Sequence, residues 1–355
     1  MLRKFTVRNF RCLRELVIEP LARVNLIVGE NNVGKTALLE ALYLHLASGR
    51  PETPLRVNHS RGVRGEDADI WEDLGWLFHA KQRGATIELL GLDGQEEQRS
   101  VRIRLVEPSE RRLSNSEADG ALWTDAHLLA AAAQSSVLTL EYIDNAGTSF
   151  TARAQLTPDG ITASPTDLRP VGNVVLVLKN PRFSEEHAKR YSALVEAGRE
   201  EELLPSLQAL DQRIQLLKLL YPADKPMLYA DMGGGQLVPF LYMGEGLGYV
   251  LSWQLAVLTA KDGTVLIDEF ENGLHYGALV DAWKAVGVAV RQSNVQVFAT
   301  THSWECVKAA QNAFVESGEE EFRLHRLERR DDDIVAITYD QEQLATSIEF
   351  NFEVR

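Results

Sequence analysis

The chain has 355 residues, 45% apolar and 25% charged, a mix that can bury a sizeable core and argues against extended disorder. Fifty-one Asp and Glu against 37 Lys and Arg leave a formal charge of −14, which repels phosphate backbones and excludes wholesale non-specific nucleic-acid binding. Cys12 and Cys306 cannot make a disulfide framework, no run approaches the ~20 apolar residues of a membrane span (Leu128–Ala133 is short), and the start lacks a leader-like apolar core; a cytoplasmic protein with no membrane role is expected.

Residues 1–28 read as strand material, with Phe5, Val7 and Phe10 near a period of two and Val24–Val28 a buried-strand run. Leu38, Leu39, Leu42, Tyr43 and Leu46 give Thr36–Ala47 a helical spacing, and the Pro-, Gly- and Arg-rich stretch 49–69 reads as a loop. Thr86–Leu90 and Val101–Val106 alternate like strands of an antiparallel meander. Arg111–Gly120 is polar and loop-like, and Leu138–Tyr142 and Phe150–Leu156 form a strand pair about Asn145-Ala146-Gly147. Val174–Leu178 reads as a strand. Ser184–Ala197 and Glu200–Leu220 read as helices, the second carrying Leu203, Leu207, Leu210, Ile214 and Leu217 near a 3.5 spacing that fits a packed face. Val265–Ile267 and Val295–Ala299 flank a helical pattern at Ala278–Val290, the alternation of a parallel sheet covered by helices. The stretch after Ala278–Val290 and Val295–Ala299 holds the acidic cluster Glu316–Glu321, followed by two more strand-like runs.

Gly29-Glu30-Asn31-Asn32-Val33-Gly34-Lys35-Thr36 matches the phosphate-binding loop G-x-x-x-x-G-K-[ST], with the strand Val24–Val28 before it and a helix after it. Glycines let backbone N–H groups turn inward around phosphate oxygens at a helix N-terminus. Lys35 suits the β/γ-phosphates and Thr36 a Mg²⁺ ion. Thr264–Ile267 ends in Asp268-Glu269: Asp268 suits the Mg²⁺ shell, and Glu269 can polarise the attacking water. Asp268 lies 232 residues beyond Thr36, so an ATP site built from both is split by a large insertion.

In their order these elements resemble the ABC-type ATPase heads of the SMC/RecF/OLD superfamily, with OLD-like and RecF-like ATPases the nearest look. Asn9-Phe10-Arg11 is similar to the opening strand motif, and the resemblance implies that Arg8 and Arg11 lie near the nucleotide. Gly244-Glu245-Gly246-Leu247, 24 residues before Asp268, stands where the family has its signature loop, with Gly244 in place of the usual Ser. Glu271-Asn272-Gly273-Leu274-His275 resembles the D-loop and Thr300-Thr301-His302-Ser303 the switch-histidine segment. The resemblance implies an α/β P-loop NTPase of ABC type: a mixed sheet flanked by helices, an antiparallel N-terminal subsheet and a mid-chain α+β insertion. Its parts would be an N-terminal lobe at 1–105, an inserted region at 106–225 and a C-terminal lobe at 226–355. It further implies ATP hydrolysis carried by Lys35, Glu269 and His302. Nucleotide would sit on Gly29, Asn31, Asn32, Val33, Gly34, Lys35, Thr36, Ala37 and Arg11, and on Gly244 and Gly246 of a second copy in an ATP-sandwich homodimer. The output would be a signal to DNA or to a partner effector in repair or anti-phage defence; an ATP-gated scaffold with little turnover is the alternative.

Some positions carry more than one reading. His275 can serve a dimer interface or cap a helix, and Gln82 is the nearest Q-loop candidate. Asp331-Asp332-Asp333 contains D-x-D, which suits either a nuclease metal or, more simply, a solvated turn. Arg3, Lys4, Arg8, Arg11, Arg14 and Arg23 outweigh Glu15 and Glu19 by +4, a patch that can face nucleotide, DNA or only water. Fifty-three residues follow His302, too few for a Toprim nuclease domain, so a Toprim-like effector is expected to be a separate polypeptide.

Overall fold

The structure is a computed structural model that describes residues 1–48, 50–59, 61, 71, 74–106, 137–157, 160–164, 172–178, 183–318, 321–350 and 352. The expectations for Arg111–Gly120 and Leu128–Ala133 fall outside these residues. In chain order the elements begin β1 (Leu2–Phe10), β2 (Leu13–Ile18), β3 (Val24–Val28), α1 (Lys35–Leu46), α2 (Thr53–His59), β4 (Ile87–Asp93), β5 (Gln98–Val106), β6 (Val137–Ile143), β7 (Ser149–Thr157), β8 (Gly160–Ser164) and β9 (Val174–Val177). They continue α3 (Glu185–Glu196), α4 (Leu204–Gln208), β10 (Leu216–Leu220), β11 (Met227–Asp231), β12 (Leu237–Pro239), α5 (Glu245–Thr259), β13 (Thr264–Ile267), α6 (Leu279–Ser293), β14 (Gln296–Thr300), α7 (Trp304–Glu316), β15 (Phe322–Arg330), β16 (Asp333–Tyr339) and α8 (Gln341–Glu349). The chain divides into two compact units, one of Met1–Leu21, Thr36–Gly172 and Glu328–Ala336, the other of Ala22–Lys35, Asn173–Leu327 and Ile337–Arg355.

The first unit carries a seven-stranded sheet, ordered β2-β1-β4-β5-β6-β7-β8, in which every pairing is antiparallel. Its strands alternate as a half-buried sheet requires: on β5 Val101, Ile103 and Leu105 are buried while Arg102 and Arg104 face solvent. The outer face is tied by opposite charges in direct register. Glu15, Arg8, Glu88, Arg102 and Glu141 occupy facing positions on β2, β1, β4, β5 and β6. Their contacts run from 2.8 Å (Arg8–Glu15) through 3.4 Å (Arg8–Glu88 and Arg102–Glu88) to 3.5 Å (Arg102–Glu141).

The second unit holds most of a six-stranded sheet, ordered β16-β15-β3-β14-β13-β9, in which β15, β3, β14, β13 and β9 run parallel to one another. All five residues of β3 are buried, as expected of a central strand covered on both faces. Its one polar residue, Asn25, is fully hydrogen-bonded: Nδ2 donates to Ala22 O (2.7 Å) and Val297 O (3.3 Å), and Oδ1 accepts from Ala22 N (2.8 Å) and His325 Nε2 (3.2 Å). That partnership offsets the cost of burying an amide. A chain of rings runs through the core, Trp253–Phe270–Trp283–Phe314–Phe322, with centroids 5.4, 3.9, 5.8 and 4.7 Å apart. Phe270 sits between Glu269 and Glu271, so the acidic turn after β13 is pinned to the core by its own side chain.

Two expectations need correction. The stretch 49–69 is not loop throughout, because Thr53–His59 is helical, with Pro54 in the first turn where its missing N–H costs nothing and the Thr53 hydroxyl donating to Arg50 O (2.7 Å). Glu200–Leu220 is not one helix. It is a 3₁₀ turn (Glu200–Leu203), the short α4 with Pro205 at its start, and strand β10 paired antiparallel with β11. Leu203, Leu207, Ile214 and Leu217 still enter one core cluster, but from different elements: tertiary pairing with β11 overrode the helical spacing. The end of the chain also holds α8, started by a capping box in which Asp340 and Gln343 satisfy each other's backbone N–H groups.

Candidate nucleotide site

In the second unit β3, β14 and β13 are adjacent and parallel, with Ile27 opposite Thr300 and Ala299 opposite Ile267. Their C-terminal ends therefore bring three segments to one edge of the sheet: Gly29–Lys35, Thr300–Ser303 and Asp268–Glu271. This is where open α/β sheets bind ligands.

The loop after β3 is built for close backbone approach. Gly29 has φ +144°, and a Cβ on it would lie 2.5 Å from Leu327 O and 2.8 Å from Val33 Cγ1, so no other residue fits. Asn32 (φ +61°) and Gly34 (φ +98°) complete the turn into α1. Lys35 folds back over the loop, its Nζ donating to Gly29 O (2.7 Å) and Glu30 O (2.9 Å). Burial pulls the Lys35 ammonium below its ordinary range, while the charges of Glu271, Asp268 and Glu269 oppose that shift. Lys35 is therefore a partly desolvated cation in the field of three acidic residues, its donors held by carbonyls of its own loop. Thr36 and Ala37, next along the chain, follow Lys35 in the first turn of α1 and belong to the first unit.

The acidic turn is equally constrained. Asp268 is buried, and the Thr300 hydroxyl donates to its Oδ1 (2.8 Å) while accepting from Glu269 N (2.8 Å). Tyr249 OH donates to Asp268 O (2.6 Å); burial and the surrounding carboxylates push this phenol well above its usual range, so it stays protonated and keeps donating. Glu269 adopts φ +56°, a left-handed kink that non-glycine residues hold only when their surroundings over-determine it. Phe270 N donates to Thr300 O (2.9 Å), closing the turn onto β14. Glu271 Oε1 accepts from His302 N (2.9 Å) and lies 3.0 Å from His302 Nδ1.

Gly244 and Gly246 also lie in the second unit. Gly244 precedes α5 with φ +99° and ψ 152°, a conformation essentially confined to glycine, which explains its presence where the resembled family has Ser. Gly246 and Gly273 touch backbone to backbone, leaving no room for a Cβ on either, so the signature-like loop and the D-loop-like turn are packed together. His275 Nδ1 accepts from Gly277 N (3.2 Å), which is the capping alternative.

The remaining candidates lie in the first unit. Arg11 is nearly buried and pairs with Glu40 of α1 (2.5 Å), which also pairs with Arg61 (2.7 Å); burial lowers the Arg11 pKa from its ordinary value. Arg8 belongs to the cross-strand ladder, and Gln82 ends a single 3₁₀ turn at the surface. The other N-terminal cations are engaged as well: Arg3 with Leu21 O (3.3 Å), Lys4 with Glu19 (2.7 Å), Arg14 with Asp333, and in the second unit Arg23 with Glu321 (3.2 Å). Asp331 and Asp332 form the turn between β15 and β16, and among the described residues no group of three His, Cys, Asp or Glu could hold a metal ion. Composition and spacing had assigned no role to Thr300, Tyr249, Phe270 or Glu271. The signal for Glu271 was present as a third acid in Asp268-Glu269-Phe270-Glu271, but what it holds is visible only in three dimensions.

Residues 1–73 match a family model described as AAA ATPase domain, and residues 153–306 match one described as an AAA domain of the AbiEii, Type IV TA system kind. A Helicobacter pylori protein named ATP/GTP phosphatase is 22% identical over 377 residues, spanning 99% of this chain and 98% of its own length. An uncharacterised protein of Methanocaldococcus jannaschii is 44% identical over 48 residues, 14% of this chain and 22% of its own. The fold is similar to that of an SMC head solved with the C-winged helix domain of ScpA, at TM-score 0.51 and 14% identity over 97% of this chain and 99% of that one. It is also similar to a Pyrococcus furiosus Smc head with an extended coiled coil, bound to the C-terminal domain of ScpA, at TM-score 0.50 and 11% identity over 99% of both. Two stretches of the chain are thus similar to AAA ATPase domains, and the fold is similar to that of SMC heads. Among the described residues no helix is long and apolar enough to cross a membrane.

Proposed function

We propose that the protein binds and hydrolyses ATP at the strand-end site of the second unit. The observation that carries this reading is Lys35, a half-buried cation in the field of Asp268, Glu269 and Glu271 and folded onto its own loop carbonyls. Phosphate oxygens would replace Gly29 O and Glu30 O as acceptors for Lys35 Nζ, and the backbone N–H groups of Gly29–Lys35 would hold the same anion. Asp268, a hard oxygen donor, would hold Mg²⁺, which when bound neutralises charge on the β- and γ-phosphates. Asp268 is pre-oriented by the Thr300 hydroxyl, so its carboxylate needs little reorganisation. Glu269 takes the proton of the attacking water, and the kink at φ +56° sets the direction of its side chain. His302 senses the γ-phosphate.

Two copies are proposed to close around two ATP molecules, each lending the loop at Gly244 and Gly246 to the other's nucleotide. The φ +99° at Gly244 leaves backbone N–H groups, rather than a serine hydroxyl, to make that contact. ATP then shifts the population toward the closed dimer, and hydrolysis releases it. The output goes to a separate effector, of Toprim-like nuclease type in this reading, as the SMC heads in the two solved structures are bound by ScpA. DNA is the less favoured receiver, because Arg3, Lys4, Arg8, Arg11, Arg14 and Arg23 all have partners within the chain. Repair or anti-phage defence is the proposed setting.

The test is steady-state phosphate release with Mg²⁺-ATP, run beside Lys35→Ala and Glu269→Gln, with and without DNA. Turnover lost in both variants supports the assignment. Tight ATP binding with no turnover in the unaltered protein would favour a nucleotide-gated scaffold, and turnover equal in all three proteins would remove the site from this edge of the sheet.

A further inference from the structure

We infer that Glu271 is a positioning residue that fixes the rotamer and tautomer of His302; only the kinetic arm of its test rests on the ATPase reading. Three observations converge. First, Glu271 Oε1 takes both the backbone N–H of His302 (2.9 Å) and its Nδ1 (3.0 Å). An ionised carboxylate only accepts, so Nδ1 carries the proton and Nε2 is the ring nitrogen left facing outward. Second, the burial of the two partners is unequal: the Glu271 side chain is 12% exposed and that of His302 55%. A ring so exposed would sample several rotamers unless tethered, and the tether comes from the buried partner. Third, Glu271 cannot drift. Phe270 beside it is locked between Trp253 and Trp283, and Gly273 two residues on is pressed against Gly246.

Glu271 Oε2 is buried and has no hydrogen-bond partner among the described residues. An unpaired buried carboxylate oxygen is costly, and a residue serving only to tie the turn to Thr300–Ser303 could be an amide or a hydroxyl at lower cost. A carboxylate at this position offers the ring acceptors alone, whereas an amide or a hydroxyl also carries a donor that could turn toward Nδ1. Glu271, His302 and the incoming phosphate would thus form a line in which the carboxylate orients the histidine and the histidine meets the phosphate, the logic by which orienting carboxylates serve histidines elsewhere.

The experiment has two arms. In the nucleotide-free protein, ¹⁵N-imidazole spectra, with the His302 signal assigned by its loss in His302→Gln, should show the Nδ1–H tautomer. In Glu271→Ala it should shift toward the Nε2–H form favoured by free imidazole. Glu271→Asp, one methylene short of the ring, should shift the same way and serves if the alanine variant does not fold. Glu271→Gln should keep Nδ1–H, because the backbone N–H of His302 holds the amide oxygen in place. In the kinetic arm, Glu271→Ala should lower kcat by about 10–100-fold, the range for an orienting partner, with KM nearly unchanged, and Glu271→Gln should recover part of that loss. An unchanged tautomer in both Glu271→Ala and Glu271→Asp overturns the proposal, as does full kcat in a variant whose tautomer has moved. If the unaltered protein shows no turnover, the ATPase reading fails while the spectra still decide the role of Glu271.

Discussion

The two units use the same residue types in opposite ways. In the antiparallel sheet of the first unit, Glu15, Arg8, Glu88, Arg102 and Glu141 alternate in sign across five strands, each charge answered by its neighbour on a wet face. At the parallel strand ends of the second unit, Asp268, Glu269 and Glu271 are gathered on one partly buried turn near Lys35. The first pattern is self-neutralising, solvated and replaceable. The second concentrates like charge where water is scarce, an arrangement that is costly unless a cationic or metal-bound ligand completes it. Sheet direction explains the difference: antiparallel neighbours set charges opposite one another along the strands, whereas parallel neighbours release all their loops at one edge.

Breaking the comparison is most direct at Lys35. Lys35→Ala should abolish measurable binding of a fluorescent ATP analogue, and unchanged affinity would mean that the strand-end carboxylates serve something other than phosphate. Glu269→Gln should retain binding but slow turnover by ~10²-fold, within the range for a general base. With Mg²⁺-ATP it should also accumulate as a dimer on size-exclusion chromatography.

Acid should expose a cost common to both units. Burial lowers His45 in the first unit to about 4 and His325 in the second to about 3, from an ordinary value of 6.5. The folded chain therefore keeps both neutral while the unfolded chain protonates them, so stability is full above about pH 6.5 and falls as pH drops toward the folded values. The limiting slope is about 1.4 kcal/mol per pH unit for each histidine. Urea unfolding at about pH 7 and about pH 5.5 should show a loss of roughly 1 kcal/mol per histidine, and His325→Gln should remove the share of the second unit.

The smallest effect belongs to the ladder. Arg102→Ala should cost less than about 1 kcal/mol, shrink further at high salt and leave phosphate release unchanged. A large activity loss there would show that the outer face of the first unit is functional after all.

Much of the candidate site was legible as short motifs before the fold. Gly29–Thr36, Asp268-Glu269 and His302 are short motifs whose chemistry depends on local backbone and residue type, and the structure sets Lys35, Asp268, Glu269 and His302 on segments leaving neighbouring strands. Glycine at Gly244 reads in the sequence as a departure; the structure shows a backbone that only glycine holds easily. The helix expected at Glu200–Leu220 failed because a 3.5 spacing of leucines is satisfied equally well by a turn, a short helix and a strand feeding one core. The basic N-terminus failed to stand out as a surface for the opposite reason: its partners, Glu88 and Asp333 among them, are remote in sequence.

What the amino-acid sequence determined by itself was the set of local instructions: a glycine-bounded turn into a helix, an apolar run ending in two acids, and alternation that distinguishes half-buried strands from buried ones. These depend on neighbours a few residues apart, where sterics and periodicity suffice. Only the tertiary structure decided which acid orients which base. Glu271 reaches His302 across two parallel strands, Thr300 bridges Asp268 and Glu269 from the neighbouring strand, and Phe270 anchors the turn among Trp253 and Trp283. Those relations follow from strand order and ring packing, and hydrogen bonds between residues some 30 positions apart are set by what the core brings side by side, which no local spacing encodes.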